Sequence, residues 1–257
     1  MPQWSPQKYL QFAGERGRPF VDLLARVPTK PSTIVDLGCG PGQLTAVMRE
    51  RWPDANIVGV DSSPEMIQQA TERNADPQAR YVLGDIGSWT TDTPVDLIIS
   101  NAALQWVPDQ LAVIPRLREH LNPGGVLAFQ VPFNFSGASH RILRELAEQM
   151  PYVAYVAEAA RPAGISAMTY LELLAGPEWI IDAWETTYLH LLEGEDAVFH
   201  WMSGTGARPT LQALPDELRD QFVDEYQAAL RDAYPKQPYG TVLPFPRVFV
   251  VVKPAAG

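Results

Sequence analysis

The sequence has a single cysteine, Cys39, and no long apolar run. One cysteine excludes an internal disulfide and a metal centre built from several thiolates. No stretch approaches the roughly 18 apolar residues that a membrane-spanning helix needs. The opening segment, Met1–Pro6, also lacks the basic end and apolar centre of a secretion signal. These absences predict a cytoplasmic protein that does not cross a membrane.

Positive charge is also scarce, because acidic residues outnumber basic ones by 30 to 20. The formal net charge of −10 repels nucleic acid and anionic membranes, so a small-molecule partner is favoured over either. Lysine is rare, and most of the positive charge is carried by arginine. The planar guanidinium group of arginine binds carboxylates through two parallel hydrogen bonds. The expected oligomeric state is a monomer.

Strand-like and helix-like segments alternate along the chain and predict an α/β fold with a doubly wound, mostly parallel sheet of seven strands. The predicted strands are Thr33–Leu37, Asn56–Val60, Arg80–Leu83, Val95–Ser100 and Val126–Val131, then one within Trp179–Leu191 and one at Arg247–Val252. The predicted helices are Gln43–Arg51, Pro64–Asn74, Asp109–Leu121, Ser139–Gln149 and Pro215–Tyr234.

The chain is expected to form one domain, 1–257, with three parts. Residues 1–31 form an N-terminal helical lid, 32–135 form a nucleoside-binding core, and 136–257 form a substrate-side half with a helical insert before the last strand. Ligands of doubly wound folds bind beyond the carboxyl ends of the parallel strands. The N-terminal segment and the late insert are therefore expected to close over that edge.

The first predicted strand ends in a turn with Gly38, Gly40 and Gly42 at alternate positions. Glycine lets the backbone approach a ligand closely because it has no Cβ. A dinucleotide-binding turn would have glycine where this chain has Gln43, and the Gly-Lys-Ser/Thr of a phosphate-binding loop is absent. The turn therefore favours a nucleoside. Cys39 has no histidine near it in sequence and is interpreted as a packing residue.

An acidic residue, Asp61, ends the second predicted strand, 21 residues after Gly40. A carboxylate at this place accepts hydrogen bonds from both ribose hydroxyls. The next residue, Ser62, has two interpretations. It is either the N-cap of the following helix, in a capping box with Glu65, or a ligand-binding residue.

The exits of the later strands also carry polar residues. Asp85 and Ile86 follow the third strand and suit an adenine, since the carboxylate accepts from the exocyclic amine and the aliphatic chain covers the ring. Asn101 follows the fourth strand, and the turn Leu121–Gly125 enters the fifth.

Together these segments resemble the class I S-adenosylmethionine-dependent methyltransferases. The matching segments are Val35–Gly42, Gly59–Asp61, Gly84–Ile86 and Leu121–Gly125. The resemblance implies a Rossmann-like fold with S-adenosyl-L-methionine as cofactor and S-adenosyl-L-homocysteine as its product. It implies that the glycine turn backs the amino-acid part of the cofactor, that the acid after the second strand holds the ribose, and that the Asp-aliphatic pair binds the adenine. Asp36, Ser62 and Asn101 are assigned to the same cofactor site.

Further segments resemble one family of this class, the trans-aconitate 2-methyltransferases. They are Trp4–Pro19, Asn101–Trp106, Thr186–Tyr188, Thr205–Pro209 and Phe245–Phe249. The similarity runs nearly end to end. It implies methylation of one carboxylate of trans-aconitate, which gives a monomethyl ester.

Such a reaction needs no general base, because a carboxylate is already a nucleophile at neutral pH. No catalytic residue is therefore predicted. Catalysis comes mainly from holding the oxygen, the methyl carbon and the sulfur in line, and positioning of this kind contributes ~7–11 kcal/mol. A substrate with three negative charges also requires local positive charge on this acidic protein, which arginine supplies best.

The predicted substrate-binding residues are Arg208, Arg16, Arg18, Arg247, Gln105, Trp106 and Tyr9. Arg208 comes first because Gly206 and Pro209 flank it and favour a fixed loop. A structural alternative stays open for each of them. The arginines can form ordinary ion pairs, Trp106 can pack in the core, and Tyr9 can belong to the core of a helix.

Other functions stay open at this point. A methyltransferase of the same fold that acts on an apolar acceptor would have a pocket of tryptophan and phenylalanine without arginines. A nicotinamide-dependent oxidoreductase is disfavoured by Gln43, and a non-catalytic nucleoside-binding module is the weakest alternative. His190 and His200 are isolated, and no residue spacing predicts a metal site.

Overall fold

The computed structural model describes residues 17–157, 159 and 164–255. The strands of this part are β1 Thr33–Leu37, β2 Asn56–Asp61, β3 Ala79–Leu83, β4 Val95–Asn101, β5 Leu121–Pro132, β6 Trp179–Leu192 and β7 Thr241–Pro254. They form one seven-stranded sheet in the order β3-β2-β1-β4-β5-β7-β6. The predicted α/β fold and the predicted number of strands are confirmed.

The first five strands are joined by parallel pairings. β1 pairs with β2 and β4, β2 pairs with β3, and β4 pairs with β5. The chain moves outward from β1 to β3 on one side and returns to β4 on the other side, so the strand order reverses at β1. In doubly wound sheets, ligands bind in the crevice beyond the carboxyl ends of the strands at this reversal. The topology therefore points to the residues that follow β1 and β4.

These two central strands are almost continuously apolar, as expected for parallel strands that are covered on both faces. Ile34, Val35 and Leu37 of β1 are buried, and so is the run Leu97–Ile99 of β4. Asp36 interrupts β1, although it is as buried as its apolar neighbours. A carboxylate in such a place requires a separate explanation, which the site below provides.

The helices lie between the strands, as the alternation predicts. Residues 17–26 form α1. The others are α2 Thr45–Arg51, α3 Pro64–Arg73, α4 Gln110–Leu117, α5 Ala138–Ala147, α6 Val153–Val156, α7 Ala167–Leu174, α8 Ala197–Ser203, α9 Arg208–Ala213 and α10 Asp216–Ala233, with 3-10 turns at Leu104–Trp106 and Arg118–His120. Across the part of the chain that the structure describes, every helix falls short of the length and apolar character that a membrane crossing requires.

The N-cap of α3 is Ser63 and not Ser62, so the predicted capping box of Ser62 and Glu65 was wrong. The Ser63 side chain accepts a hydrogen bond from the Met66 amide at 3.3 Å, and Pro64 is the first residue of the helix. Proline is favoured at that first position because the backbone N–H that it lacks would have no acceptor within the helix there. Ser62 is thereby left exposed beside Asp61.

The described residues divide into two compact units. Unit 1 contains those within Met1–Val131, Ile165–Glu185 and Val248–Gly257, and unit 2 contains those within Pro132–Gly164 and Thr186–Arg247. The core of unit 2 forms around α10, which buries Phe222, Tyr226 and Leu230 at a spacing of four residues. The Tyr226 hydroxyl donates to the Ser139 carbonyl of α5 at 2.9 Å. Helices α8 to α10 are the helical insert that was predicted before the last strand, while the single domain and the lid stay predictions.

Replacing Gly38 with alanine should lower the free energy of unfolding by about 3 kcal/mol. Its φ is +81°, and an added Cβ would overlap the Cβ of Ala103. Gly124 is a matched control, because its φ is +84° and an added Cβ would meet nothing within 4 Å. Its replacement by alanine should cost about 1 kcal/mol for the backbone alone. Urea unfolding of both variants measures the difference, and equal losses would contradict the close packing at Gly38.

Candidate active site

The glycine turn after β1 is fixed to the end of β2 by backbone hydrogen bonds. The amides of Gly38 and Cys39 donate to the Val60 carbonyl at 2.8 and 3.0 Å. The Gly40 amide donates to Asp61 Oδ2 at 2.9 Å. The turn is therefore held in place from β2, and two predicted site residues lie in direct contact.

The three glycines of the turn face different surroundings. An added Cβ at Gly38 would meet Ala103, and one at Gly42 would meet the Tyr81 hydroxyl at 2.6 Å. An added Cβ at Gly40 would meet no atom of the described residues within 4 Å. All three have positive φ, which favours glycine. Gly40 is thus the place where bare backbone borders open space, as a closely approaching ligand requires.

Asp36 lies on β1 directly before this turn and is almost completely buried, with 1 % of its surface exposed. No donor among the described residues forms a hydrogen bond with either of its carboxylate oxygens. Burial, and then the negative charge of Asp61, raise the pKa of Asp36 to about 7. A buried carboxylate without a partner is costly, and a positively charged ligand would lower that cost.

Asp61 joins the turn to the start of α3. Its Oδ2 accepts from Gly40, and its Oδ1 accepts from the Ser63 amide at 2.9 Å. Each carboxylate oxygen has two lone pairs, so each can accept one more hydrogen bond. Asp61 is also only partly buried. It can therefore hold the two hydroxyls of a ribose while it fixes the turn.

The exit of β3 lies next to these residues. The Gly84 amide donates to the Asp61 carbonyl at 3.0 Å. Ile86 is buried, and its Cδ1 lies 3.5 Å from the Cβ position of Gly38. Asp85 is exposed, and the Ser88 hydroxyl lies 3.3 Å from its Oδ2. The aliphatic side chain thus borders the glycine turn while the carboxylate stays accessible, which suits the predicted contacts with an adenine.

The exit of β4 completes the edge. Asn101 is partly buried and accepts a hydrogen bond from Gln130 Nε2 at 2.6 Å. Ala102 has a φ of +54°, which is uncommon for a residue other than glycine and is often found at functional sites. Gln105 is buried, and its Nε2 donates to the Ala102 carbonyl at 2.7 Å. Trp106 is 44 % exposed, so its ring is not part of the core.

Tyr81 is a further residue of this edge, and it was missed in the sequence. Its hydroxyl donates to Thr45 Oγ1 at 2.9 Å. The Tyr81 side chain lies over Gly42 and Gly59, because a Cβ added at either glycine would come within 3 Å of atoms of Tyr81. Gly59 was the available signal, because a glycine inside a strand often marks the close approach of another group.

Cys39 behaves as a packing residue, as interpreted from the sequence. It is buried, and its Sγ lies 2.9 Å from the Cβ position of Gly59. Burial, together with the charges of Asp36 and Asp61, raises the pKa of the thiol above its usual range. A thiol of this kind stays protonated and is a poor nucleophile.

The predicted substrate-binding arginines lie in different surroundings. Arg18 of unit 1 is largely exposed and lies 4.0 Å from Asp22 on the same helix. In unit 2, Arg208 is exposed at the start of α9, and Arg247 is buried with its guanidinium group 4.8 Å from the centre of the Phe245 ring. Tyr9 and Arg16 lie outside the described residues.

The predicted cofactor residues Asp36, Gly38, Gly40, Gly42, Asp61, Ser62, Asp85, Ile86 and Asn101 all lie at or next to the carboxyl ends of β1 to β4, within unit 1. Gln105 and Trp106 follow Asn101 closely in the same unit. Among the described residues, the arrangement offers a buried acid without a hydrogen-bond donor, bare backbone, and acceptors for hydroxyl groups along one edge of the sheet. It fits a nucleoside that carries positive charge, and the cofactor role of each residue stays a prediction.

Comparison with solved structures shows the same fold in S-adenosylmethionine-dependent methyltransferases. One from Mesorhizobium loti matches with a TM-score of 0.54 and 18 % identity, over 93 % of this chain and 98 % of the other. The plantazolicin methyltransferase BpumL in complex with S-adenosylhomocysteine matches with a TM-score of 0.52 and 14 % identity, over 97 % of this chain and 90 % of the other. The family model described as "Methyltransferase domain" matches residues 34–125. The chain therefore has the fold of class I methyltransferases.

Proteins of similar sequence identify the family within this class. The trans-aconitate 2-methyltransferase of Streptomyces avermitilis is 48 % identical over 261 residues, which cover 98 % of this chain and 97 % of the relative. The protein of the same name from Escherichia coli O157:H7 is 42 % identical over 255 residues, covering 98 % and 99 %. This chain belongs to the trans-aconitate 2-methyltransferase family. The resemblance found in the sequence is confirmed.

Proposed function

We propose that this protein transfers the methyl group of S-adenosylmethionine to one carboxylate of trans-aconitate and so produces a monomethyl ester. The observation that carries the proposal is the identity of 42 to 48 % with trans-aconitate 2-methyltransferases along almost the whole chain. The edge of the sheet supports it independently, because a buried acid that has no donor among the described residues and an open glycine backbone fit this cofactor.

When bound, S-adenosylmethionine supplies an electrophilic methyl group on a positively charged sulfur. Asp36 would provide the negative charge near the amino-acid part of the cofactor, and Gly40 would let that part approach the backbone. Asp61 would accept from the ribose hydroxyls with its remaining lone pairs. Asp85 and Ile86 would hold the adenine by its amine and its face.

The acceptor needs no base, because a carboxylate is ionised at neutral pH. The task of the protein is to orient this carboxylate and to exclude water. Gln105 keeps one N–H of its amide for an acceptor oxygen, since the other is used on the Ala102 carbonyl. The exposed ring of Trp106 can form a wall beside it.

Arginines would bind the remaining carboxylates of the substrate. Arg208 is exposed and its α9 begins with a proline in the first turn, so its backbone is well defined. Arg247 is already desolvated and oriented by the Phe245 ring. Arg18 is exposed and lies 4.0 Å from Asp22, and an exposed ion pair of this kind contributes little to stability. Tyr9 and Arg16 are proposed for the same role from the sequence alone.

Replacing Arg208 with alanine should raise the KM for trans-aconitate about tenfold or more, because a charge-assisted hydrogen bond contributes ~1.5–3 kcal/mol. The affinity for S-adenosylhomocysteine should not change. Arg141 is a matched control, since it is an exposed arginine of unit 2 that pairs with Glu145 at 3.1 Å. Initial rates and calorimetry give both constants. Equal losses for substrate and cofactor in Arg208→Ala would contradict the proposed role.

The reaction itself is tested by methyl transfer from labelled S-adenosylmethionine to trans-aconitate, with cis-aconitate, citrate and isocitrate as competitors for selectivity. The label should enter a product that releases it as methanol in mild base, as an ester does. Transfer only to apolar acceptors would refute the proposal in favour of the alternative pocket. Binding of NAD instead of S-adenosylhomocysteine would refute the cofactor as well.

We further propose that the protein acts in the cytoplasm as a monomer, without nucleic acid or membrane partners. The net charge of −10 supports this, because it opposes binding to polyanions.

A further inference from the structure

Gln130 has a side-chain amide and lies in the apolar part of β5, two residues before the strand ends. Its neighbours on β5, Phe129 and Val131, are buried, and Gln130 itself has no exposed surface. A buried amide costs free energy unless its N–H and C=O groups are hydrogen-bonded. Glutamine at this position therefore needs a reason that packing does not supply.

The strand register places Gln130 directly beside Asn101. The two residues are partners in the parallel pairing of β4 and β5, so their side chains lie on the same face of the sheet. Gln130 Nε2 donates to Asn101 Oδ1 at 2.6 Å. The backbone carbonyl of Gln130 also accepts from the Ala102 amide at 2.9 Å. One residue thus holds both the side chain at the exit of β4 and the backbone that follows it.

The hydrogen bond decides which atoms Asn101 presents. Its Oδ1 is engaged by Gln130, so the two N–H groups of Nδ2 are left for the partly exposed side of the residue. Without Gln130 the amide could turn over and present its oxygen instead. Outward N–H groups suit an anionic ligand, and an outward oxygen suits a cation.

The backbone contact has a second effect. Ala102 is held at a φ of +54°, and the turn that follows places Ala103 against Gly38 and lets Gln105 bind the Ala102 carbonyl. The glycine turn and the residues after β4 are therefore connected through the segment that Gln130 fixes.

We infer that Gln130 is a positioning residue that aims the Asn101 amide N–H groups at a carboxylate bound in the crevice. The inference rests on the proposed function, which supplies carboxylates from two sources, the amino-acid part of the cofactor and the acceptor. The dissociation constant of S-adenosylhomocysteine reports on the first, and the KM of trans-aconitate reports on the second.

A double-mutant cycle tests the inference. Gln130→Met keeps the size of the side chain but removes its hydrogen-bond donor. It should raise one of the two constants about fivefold to tenfold. Asn101→Ala should raise the same constant by at least as much. Gln130→Met in the Asn101→Ala background should then have no further effect on that constant, even if it lowers the melting temperature. Additive effects would refute the inference, because they would show that Gln130 does not act through Asn101.

Asn101→Asp tests the orientation without any change at Gln130. It retains an acceptor for Gln130 but replaces the outward N–H groups with a carboxylate oxygen. It should therefore bind the anionic group at least tenfold more weakly than Asn101→Ala. Binding stronger than that of Asn101→Ala would refute the inference, because it would mean that a cation lies there. A wild-type protein without methyl transfer to trans-aconitate would refute the proposed function, whereas an active wild-type protein with an additive cycle would refute the inference alone.

Discussion

Replacing Gly40 with alanine should lower the affinity for S-adenosylhomocysteine about 100-fold, or ~2.8 kcal/mol, while the protein stays folded. The expected effect follows from the open space at this residue, where an added Cβ would meet nothing within 4 Å in the part of the chain that the structure describes. The new methyl group would occupy the surface that the cofactor is proposed to approach. The free energy of unfolding should fall by only about 1 kcal/mol, because alanine adopts the left-handed region, where a φ of +55° lies, with a destabilisation of about that size.

Calorimetric titration with S-adenosylhomocysteine and urea unfolding measure the two effects separately. Gly124→Ala is again the matched control, because Gly124 also has positive φ and open surroundings but lies at the start of β5. It should lose a similar amount of stability and keep its affinity. If Gly40→Ala binds as tightly as the wild type, the cofactor does not lie against the turn.

The affinity of the wild-type protein for S-adenosylmethionine should rise with pH between about 5.5 and 7 and level off above that. The pKa of Asp36 is about 7 in the ligand-free protein, and a positively charged ligand should bind better to its ionised form. Below that pKa, the dissociation constant should fall up to tenfold for each rise of one pH unit. Asp36→Asn should remove this dependence and bind the cofactor more weakly at pH 7.5.

The same substitution should stabilise the ligand-free protein at pH 8. The pKa of Asp36 is raised from 3.8 to about 7 on folding, so the folded state retains a proton that the unfolded chain has released between these values. The contribution of Asp36 to the free energy of unfolding is therefore at its maximum below pH 3.8. It falls as the pH rises to about 7 and stays low above that value. Asparagine avoids this loss, which is on the order of 4 kcal/mol.

Calorimetry from pH 5.5 to 7.5 and urea unfolding at pH 5 and 8 check both expectations. Asp85→Asn is the control, because this exposed carboxyl should keep the pH slope even if it weakens the binding. The kcat at saturating cofactor should not change over this range, because the acceptor needs no base. A wild-type dissociation constant that does not vary with pH would contradict the role of Asp36.

The sheet could be predicted closely because its strands carry local signals. β1 agrees with its predicted bounds, and β2 and β4 differ by one residue at the end. β5 begins earlier than predicted, at Leu121. The predicted turn Leu121–Gly125 belongs to the strand, because Leu121 pairs with Val95 of β4 and the register of the pairing shifts between Val95 and Leu97. Buried parallel strands read as apolar runs, so their positions depend little on the rest of the molecule.

The helices of the second half were harder to predict. Ala167–Leu174, Ala197–Ser203 and Arg208–Ala213 were not predicted individually. Each is eight residues or shorter, and helices of this length are marginal without tertiary packing. By contrast, α10 was predicted to within one residue at each end, because its 18 residues repeat an apolar stripe.

The sequence by itself determined the strand–turn–helix pattern, the glycine turn and the acids after the strands, because each depends on residues that are close in the chain. The tertiary structure decided what those residues can do. Within residues 17–157, 159 and 164–255, only packing leaves Asp36 without a hydrogen-bond donor, leaves open space at Gly40 but not at Gly38, and sets Gln130 beside Asn101. Burial and cross-strand register join residues that are far apart in sequence, so no local pattern can encode them.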